Sequence, residues 1–191
     1  MTNEKTKSPK MTKEEFVRRI EKGETNFAGV EFPKGIELKG MKFVGFDFRD
    51  AIIQNSDLSG SDFSSSYLRD IDLKGSKVRS SIFVRADIRG GDLESVDATS
   101  AVFERAYMCG AYIKNAIFKD TRIGNAFLSG TYFEATDIRG MSGLDTAHGI
   151  EATVFRQTVV TDKQRRQIES RKSTKIEQFV IKTEPQLRKE K

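Results

Sequence analysis

A five-residue period runs through more than half of this chain and leaves few folds open to it. From Ile36 to Gly140 the sequence divides without a gap into 21 blocks of five, IELKG MKFVG FDFRD AIIQN SDLSG and so on to TDIRG. The third position of every block is a large apolar residue except at Ala98, and the first is Ala, Gly, Ser or Thr in 16 of the 21. The exceptions at the first position are Ile36, Met41, Phe46, Ile71 and Val96. Charge concentrates at the second and fourth positions, while the fifth is rich in Gly, Asn, Asp and Ser. Two further blocks, TNFAG and VEFPK, precede the run and are offset from it by the single residue Gly35.

Five is neither the roughly 3.6 of a helix nor the two of a plain strand, but it can contain a short alternation. First and third residues then point inward, second and fourth outward, and the fifth turns the chain. Gly40, Gly45, Asp50, Asn55 and Gly60 are residue types that tolerate tight turns. Each block becomes one side of a coil, and successive coils stack about 4.8 Å apart through backbone hydrogen bonds. The residues also suggest the number of sides. Third positions spaced by 20 collect Phe43, Phe63, Phe83 and Phe103, four of the seven Phe at third positions, as a four-sided coil would stack them. The expected core follows from the third positions: those four Phe with Leu58, Leu68, Leu73, Ile88, Leu93, Ile113, Phe118, Leu128 and Phe133.

These blocks closely resemble the pentapeptide-repeat family, whose pattern is Ala-(Asp/Asn)-Leu-X-X. Ala86-Asp87-Ile88-Arg89-Gly90, Ser56-Asp57-Leu58-Ser59-Gly60 and Gly91-Asp92-Leu93-Glu94-Ser95 carry the likeness. It spans roughly residues 25–140 and implies an all-β solenoid: a right-handed, four-sided parallel β-helix of about five coils. The departures are the bulky first-position residues, most of which fall in the early coils.

A solenoid needs covered ends, because terminal coils expose apolar side chains and strand edges. Residues 1–11 read as a disordered tail and residues 12–24 as a capping helix. Thr12-Lys13-Glu14-Glu15 has the capping-box pattern, Phe16, Val17 and Ile20 share a face, and Gly23 stops the helix. The repeat region is expected over 25–140, and after Gly140 the register breaks. Residues 141–170 read as a C-terminal cap, with a helix opened by Thr161-Asp162-Lys163-Gln164 and apolar cover from Val154, Phe155, Val159, Val160 and Ile168. Residues 171–191, dense in charge around Phe179-Val180-Ile181, read as a mobile tail or a helix that orders on a partner.

Composition removes most chemistry. The single His148 and single Cys109 leave no His-pair or cysteine metal site and no internal disulfide, and no paired-carboxylate site, phosphate loop or Ser/His/Asp set can be placed. The expectation is no enzyme, no cofactor and no metal. Cys109 reads as an incidental thiol at an outward position, and His148 as a turn residue. No apolar run is long enough to cross a bilayer, no secretory leader is visible, and the lone cysteine fits a reducing, cytoplasmic setting. The net charge of +5 sits in the ends: residues 36–140 hold 14 basic and 15 acidic groups. Basic columns such as Lys39, Arg79, Lys119 and Arg139 run beside acidic Glu37, Asp57, Asp97 and Asp137, which argues for surface pairs and against direct nucleic-acid binding.

Large apolar residues at outward second positions stand out in the C-terminal half: Val102, Tyr107, Tyr112, Ile117, Phe127 and Tyr132. They form a candidate partner-docking patch, and the alternative is that they are ladders stabilising stacked strands. Function is therefore read as a rigid protein–protein interaction module with an unknown protein partner. The alternative implied by the resemblance is a DNA-mimicking inhibitor or protector of DNA gyrase, of the quinolone-resistance type, which the neutral rod does not favour. Gyrase-protecting relatives dimerise through their C-terminal ends, so the resemblance also implies a possible homodimer.

Overall fold

The computed structural model describes residues 8–171. Its elements are α1 (Lys13–Glu21), the three-residue strands β1 (Tyr112–Lys114), β2 (Tyr132–Glu134) and β3 (Val154–Arg156), a 3-10 turn at Ile150–Ala152, and α2 (Asp162–Arg171). The three strands form one parallel sheet in the order β1-β2-β3. Elsewhere the blocks pair through single parallel bridges, and from Glu37↔Asp57 to Ile117↔Asp137 the partners lie 20 residues apart. Four blocks thus make one turn, giving four faces. Their outward second positions run Glu37-Asp57-Lys77-Asp97-Ile117-Asp137 on the first face and Lys42-Asp62-Ile82-Val102-Arg122 on the second. The third reads Asp47-Tyr67-Asp87-Tyr107-Phe127-His148, and the fourth Ile52-Asp72-Asp92-Tyr112-Tyr132-Val154.

The block Ser66–Asp70 shows why five residues suffice. The Tyr67 N–H donates to Phe46 O in the preceding turn (2.8 Å), and Leu68 and Asp70 donate to Asp87 O (2.8 Å) and Arg89 O (2.9 Å) in the next. The corner closes locally as the Ile71 N–H reaches back to Leu68 O (3.2 Å). Fifth residues sit at positive φ, at Asn55 (53°) and Asp70 (57°) as at Gly60 (71°), which explains their restricted chemistry. The small first position has a reason too. Ser61, Ser76, Ser81, Thr131 and Thr136 are buried, and their hydroxyls donate across the interior to third-position carbonyls one turn earlier, as from Ser81 Oγ to Leu58 O (2.8 Å). Each such bond satisfies a hydroxyl that burial would otherwise penalise.

The third positions fill the interior. Phe43, Phe63, Phe83, Phe103, Leu58, Leu68, Leu73, Ile88, Leu93, Ile113, Phe118, Leu128 and Phe133 are all at most 1% exposed. Phe63, Phe83 and Phe103 stack face to face at centroid distances of 5.0 and 4.8 Å with interplanar angles of 1° and 3°. The bulky first-position residues of the early turns are accommodated among rings: Phe46 packs 5.6 Å from Phe43 and 6.1 Å from Phe27.

The ends differ from the sequence reading in two respects. Residues 8–11 belong to the fold rather than to a disordered tail: Lys10 pairs with Glu31, the Glu31 N–H donates to Pro9 O (2.9 Å), and Met11 is buried. Met11 is apolar enough to join the core, and Pro9 needs no donor to serve as an acceptor. α1 follows, its Thr12 Oγ1 accepting from the Glu15 N–H (3.2 Å), and it buries Phe16 edge-on against Phe27 (4.6 Å) and Phe32 (4.8 Å). At the other end stacking continues past Gly140. Ser142, His148, Val154 and Val159 pair with Arg122, Phe127, Tyr132 and Asp137, so residues 141–160 contribute a further turn and are not merely cover. The pairing offset grows from 20 to 22 there because two corners each hold one extra residue, which is why the period appears to end. The column from Asn26 through Asp47 to His148 has seven rungs.

α2 then lies against this last turn. Thr161 and Gln164 cap each other reciprocally, with the Thr161 N–H donating to Gln164 Oε1 (2.9 Å) and the Gln164 N–H donating to Thr161 Oγ1 (3.3 Å). The buried Gln164 amide also donates to Ile138 O (2.7 Å) and Met141 O (3.0 Å), pinning the helix to the coil. Arg171 donates to the carbonyls of Asp145 and Ala147. The expectations for residues 1–7 and for the segment beyond Arg171 lie outside the described residues.

Candidate aromatic docking faces

The six outward apolar residues do not form one patch. Val102 lies on the second face and Ile117 on the first, so each is opposite one of the faces that carry the aromatics. A period of five places consecutive second positions on successive faces, and a stretch of sequence therefore wraps the rod. The other four are brought together. Tyr107 and Phe127 stack on the third face at 4.9 Å and 4°, and Tyr112 and Tyr132 stack on the adjoining fourth face at 5.6 Å and 15°. Two residues extend these columns. His148 stacks on Phe127 at 4.8 Å and 22°, and Val154 follows Tyr132 in register. They were invisible to the five-residue count because both lie beyond the extra corner residues. Tyr107 (44%), Phe127 (37%) and Val154 (37%) stay exposed, while Tyr112 and Tyr132 are half-buried.

What these residues replace is informative. Wherever Asp occupies the second position its carboxylate accepts from the N–H of the fourth residue: Asp57 from Ser59 (3.1 Å), Asp72 from Lys74 (3.0 Å), Asp92 from Glu94 (2.9 Å), Asp137 from Arg139 (3.1 Å). This Asx turn is the local reason for Asp in the repeat. Tyr107, Tyr112, Phe127 and Tyr132 offer no such acceptor. At these rungs the two faces lack the hydrogen bond that Asp47, Asp72, Asp87 and Asp92 make earlier in the same columns, and display aromatic surface instead.

Charge around the faces is paired. On the third face Asp47 holds Arg49 (2.6 Å) and Asp87 holds Arg89 (2.6 Å), and these guanidiniums draw both carboxyls below their usual range. On the fourth face Lys74 meets Glu94 (2.6 Å) and Lys114 meets Glu134 (3.7 Å). The Glu134 charge, with Tyr112 beside it, raises the Lys114 ammonium above its ordinary value, and a hydrogen bond to Tyr132 does the same for Arg156. The first-face columns pair likewise, Lys39 with Asp57 (3.1 Å) and Arg79 with Asp97 (2.6 Å). Cys109 sits at the third-face corner between the aromatic columns, half-buried, its thiol directed at Phe127 O (3.7 Å). Among the described residues no three His, Cys, Asp or Glu side chains are grouped to hold a metal, and no helix is long and apolar enough to cross a membrane. A groove of about 450 Å³ near the N-terminal end is lined by Lys10, Thr12, Glu31, Pro33 and Lys34 among others.

Comparison with known proteins places this geometry. The family model of pentapeptide repeats matches residues 34–70 as eight copies. Similar solved structures include a pentapeptide repeat protein from the thylakoid lumen of Arabidopsis thaliana, 29% identical, covering 59% of this chain and 72% of that one with a TM-score of 0.47. QnrB1, a plasmid-mediated fluoroquinolone resistance protein, is 14% identical over 80% of this chain and 93% of its own, with a TM-score of 0.42. HetL, a pentapeptide repeat protein involved in heterocyst differentiation regulation from the cyanobacterium Nostoc sp. strain PCC 7120, is 21% identical over 79% and 81%, with a TM-score of 0.35. A search of curated proteins returns no match. The chain thus carries pentapeptide repeats over residues 34–70, and the 20-residue pairing extends the same blocks through Asp137.

Proposed function

We propose that the chain is a non-catalytic, right-handed rod, closed at its ends by α1 and α2, that presents the aromatic columns of its third and fourth faces to a protein partner in the cytoplasm. The observation that carries this reading is the exchange of Asp for aromatic residues at second positions. A column selected for the stability of the coil would keep the carboxylate that caps each fourth-position N–H, as Asp57, Asp72 and Asp92 do. Tyr107 and Phe127 instead keep apolar rings in water, where they are suited to the centre of an interface. A gyrase-directed DNA mimic would need a continuous acidic surface, whereas the acidic columns of the first, third and fourth faces each have cations beside them.

The test is paired capture from a lysate of the source cells, with the unaltered chain and a Tyr107→Asp/Phe127→Asp variant as baits. Asp is the residue the repeat accepts at these positions, so the variant retains the fold, checked by circular dichroism. A protein retained by the first bait and lost from the second supports docking on the third face. Identical captures from the two baits would refute it.

A further inference from the structure

The fourth face carries a pattern that is complementary to itself when reversed. Its fourth-position column reads Lys74, Glu94, Lys114, Glu134 and Arg156, alternating in sign over five consecutive rungs. Its second-position column changes over the same rungs from Asp72 and Asp92 to Tyr112, Tyr132 and Val154. The rungs of Tyr112, Tyr132 and Val154 are β1, β2 and β3, the one stretch among the described residues where bridges merge into a continuous sheet.

We propose that this face docks a second copy of the chain, the two rods running antiparallel about a twofold axis that passes between β1 and β2. The proposal rests on the reading that outward aromatics mark docking surfaces, and it names the occupant of the fourth face. Symmetry makes the choice. A twofold axis lying in the interface, along the strand direction, sets each column against its own counterpart in reverse order. With the axis between β1 and β2, Lys114 faces the second copy's Glu134, Glu94 faces its Arg156, and Tyr112 faces its Tyr132, each contact occurring twice. Asp92 comes opposite Val154, beside the Arg156 that supplies it a cation.

Other registers do worse on the same columns. An axis through a rung opposes like charges, Lys74 to Lys114 or Glu94 to Glu134. An axis one rung earlier keeps the charges complementary but sets Tyr112 against Asp92 and Tyr132 against Asp72. An axis one rung later leaves only the Glu134 and Arg156 rungs overlapped. Parallel rods would lay Tyr112 over Lys114. A strictly alternating column is self-complementary in one orientation only, and the aromatic rungs select the position within it. The Lys114–Glu134 contact within each chain holds these side chains in place before docking, which lowers the entropy cost of association.

Disulfide trapping tests this directly. In a Cys109→Ser background, Glu94→Cys and Arg156→Cys are introduced together. Within one chain they lie three rungs apart, about 14 Å at about 4.8 Å per rung, beyond the reach of a disulfide. In the antiparallel pair they are opposed twice. A control pair, Asp62→Cys with Arg122→Cys, has the same spacing on the second face. Mild oxidation is expected to give a covalent dimer whose peptide map joins position 94 to position 156, while the control remains monomeric. A chain that stays monomeric, dimers joined 94 to 94 or 156 to 156, or equal dimer from the control would each overturn the proposal. The Tyr107→Asp/Phe127→Asp capture reads the third face alone, so failure of the trapping and failure of the docking reading are told apart.

Discussion

Removing one ring from the interior stack should cost a large part of the stability of this rod. Phe83 is 1% exposed and lies between Phe63 at 5.0 Å and Phe103 at 4.8 Å, with the rings nearly parallel. Returning a buried Phe side chain to water costs about 2–3 kcal/mol. Each stacked partner adds about 0.5–1 kcal/mol beyond area, and there are two. Relaxation is restricted because the backbone there is bonded to both neighbouring turns, from Ile82 N–H to Ser61 O in the preceding one and from Phe83 N–H to Val102 O in the next. Phe83→Ala is therefore expected to lose about 3–5 kcal/mol, the range usual for such truncations. The assay is urea unfolding followed by circular dichroism, with Tyr67→Ala as the control. Tyr67 is 55% exposed on the third face and should lose less than about 1 kcal/mol. A loss below about 1 kcal/mol for Phe83→Ala, or equal losses for the two variants, would refute a core built by 20-residue stacking.

Gly143→Ala should be severe, since at φ 89° its Cβ would lie 2.4 Å from the Gly124 nitrogen, whereas Gly60→Ala meets open space and should cost only about 1 kcal/mol for its left-handed backbone; thermal unfolding of the two variants checks the difference. Acid should weaken the fold. Arg49 and Arg89 hold the Asp47 and Asp87 carboxyls below their usual range, so the folded chain binds these protons less readily than the unfolded one. Their contribution is complete above the ordinary carboxylate value of about 3.9 and is lost as pH falls through the lower folded values, so urea midpoints should hold from pH 7 to 5 and drop below about pH 4. Asp87→Asn should make that drop shallower, and an unchanged acid limb in that variant would count against the pairing.

The repeat was legible because each of its positions answers to a separate local demand: a hydroxyl for a carbonyl at Ser81, a left-handed corner at Asn55, a carboxylate for an N–H at Asp57. Where the chain inserts a residue, those demands continue but the count fails. Thr153-Val154-Phe155-Arg156-Gln157 is a full block, with Thr153 and Phe155 buried and Gln157 at positive φ, yet it stands out of phase with every block before Gly140. His148 was hidden for the same reason, read as a turn residue although it caps the aromatic column by stacking on Phe127. Met11 and Lys10 were missed because an isolated segment that pairs with Glu31 has no repeat of its own to announce it. Val102 and Ile117 were grouped with the tyrosines by nearness in sequence, while the coil separates them by face.

The chain has four tyrosines, and their placement makes tyrosine-selective labelling the most direct measurement of the docking claim. Tyr107, Tyr112 and Tyr132 lie in the stacked aromatic rungs, and Tyr67 lies two rungs earlier in the same third-face column, separated from them by Asp87. Labelling is read residue by residue by mass spectrometry, on dilute purified protein and on the same protein in its source lysate. Docking through these columns predicts that Tyr107 loses reactivity in the lysate while Tyr67 stays as reactive as in the purified chain. Unchanged labelling of Tyr107, or an equal loss at Tyr67, would contradict it and return the aromatics to the role of ladders within the rod.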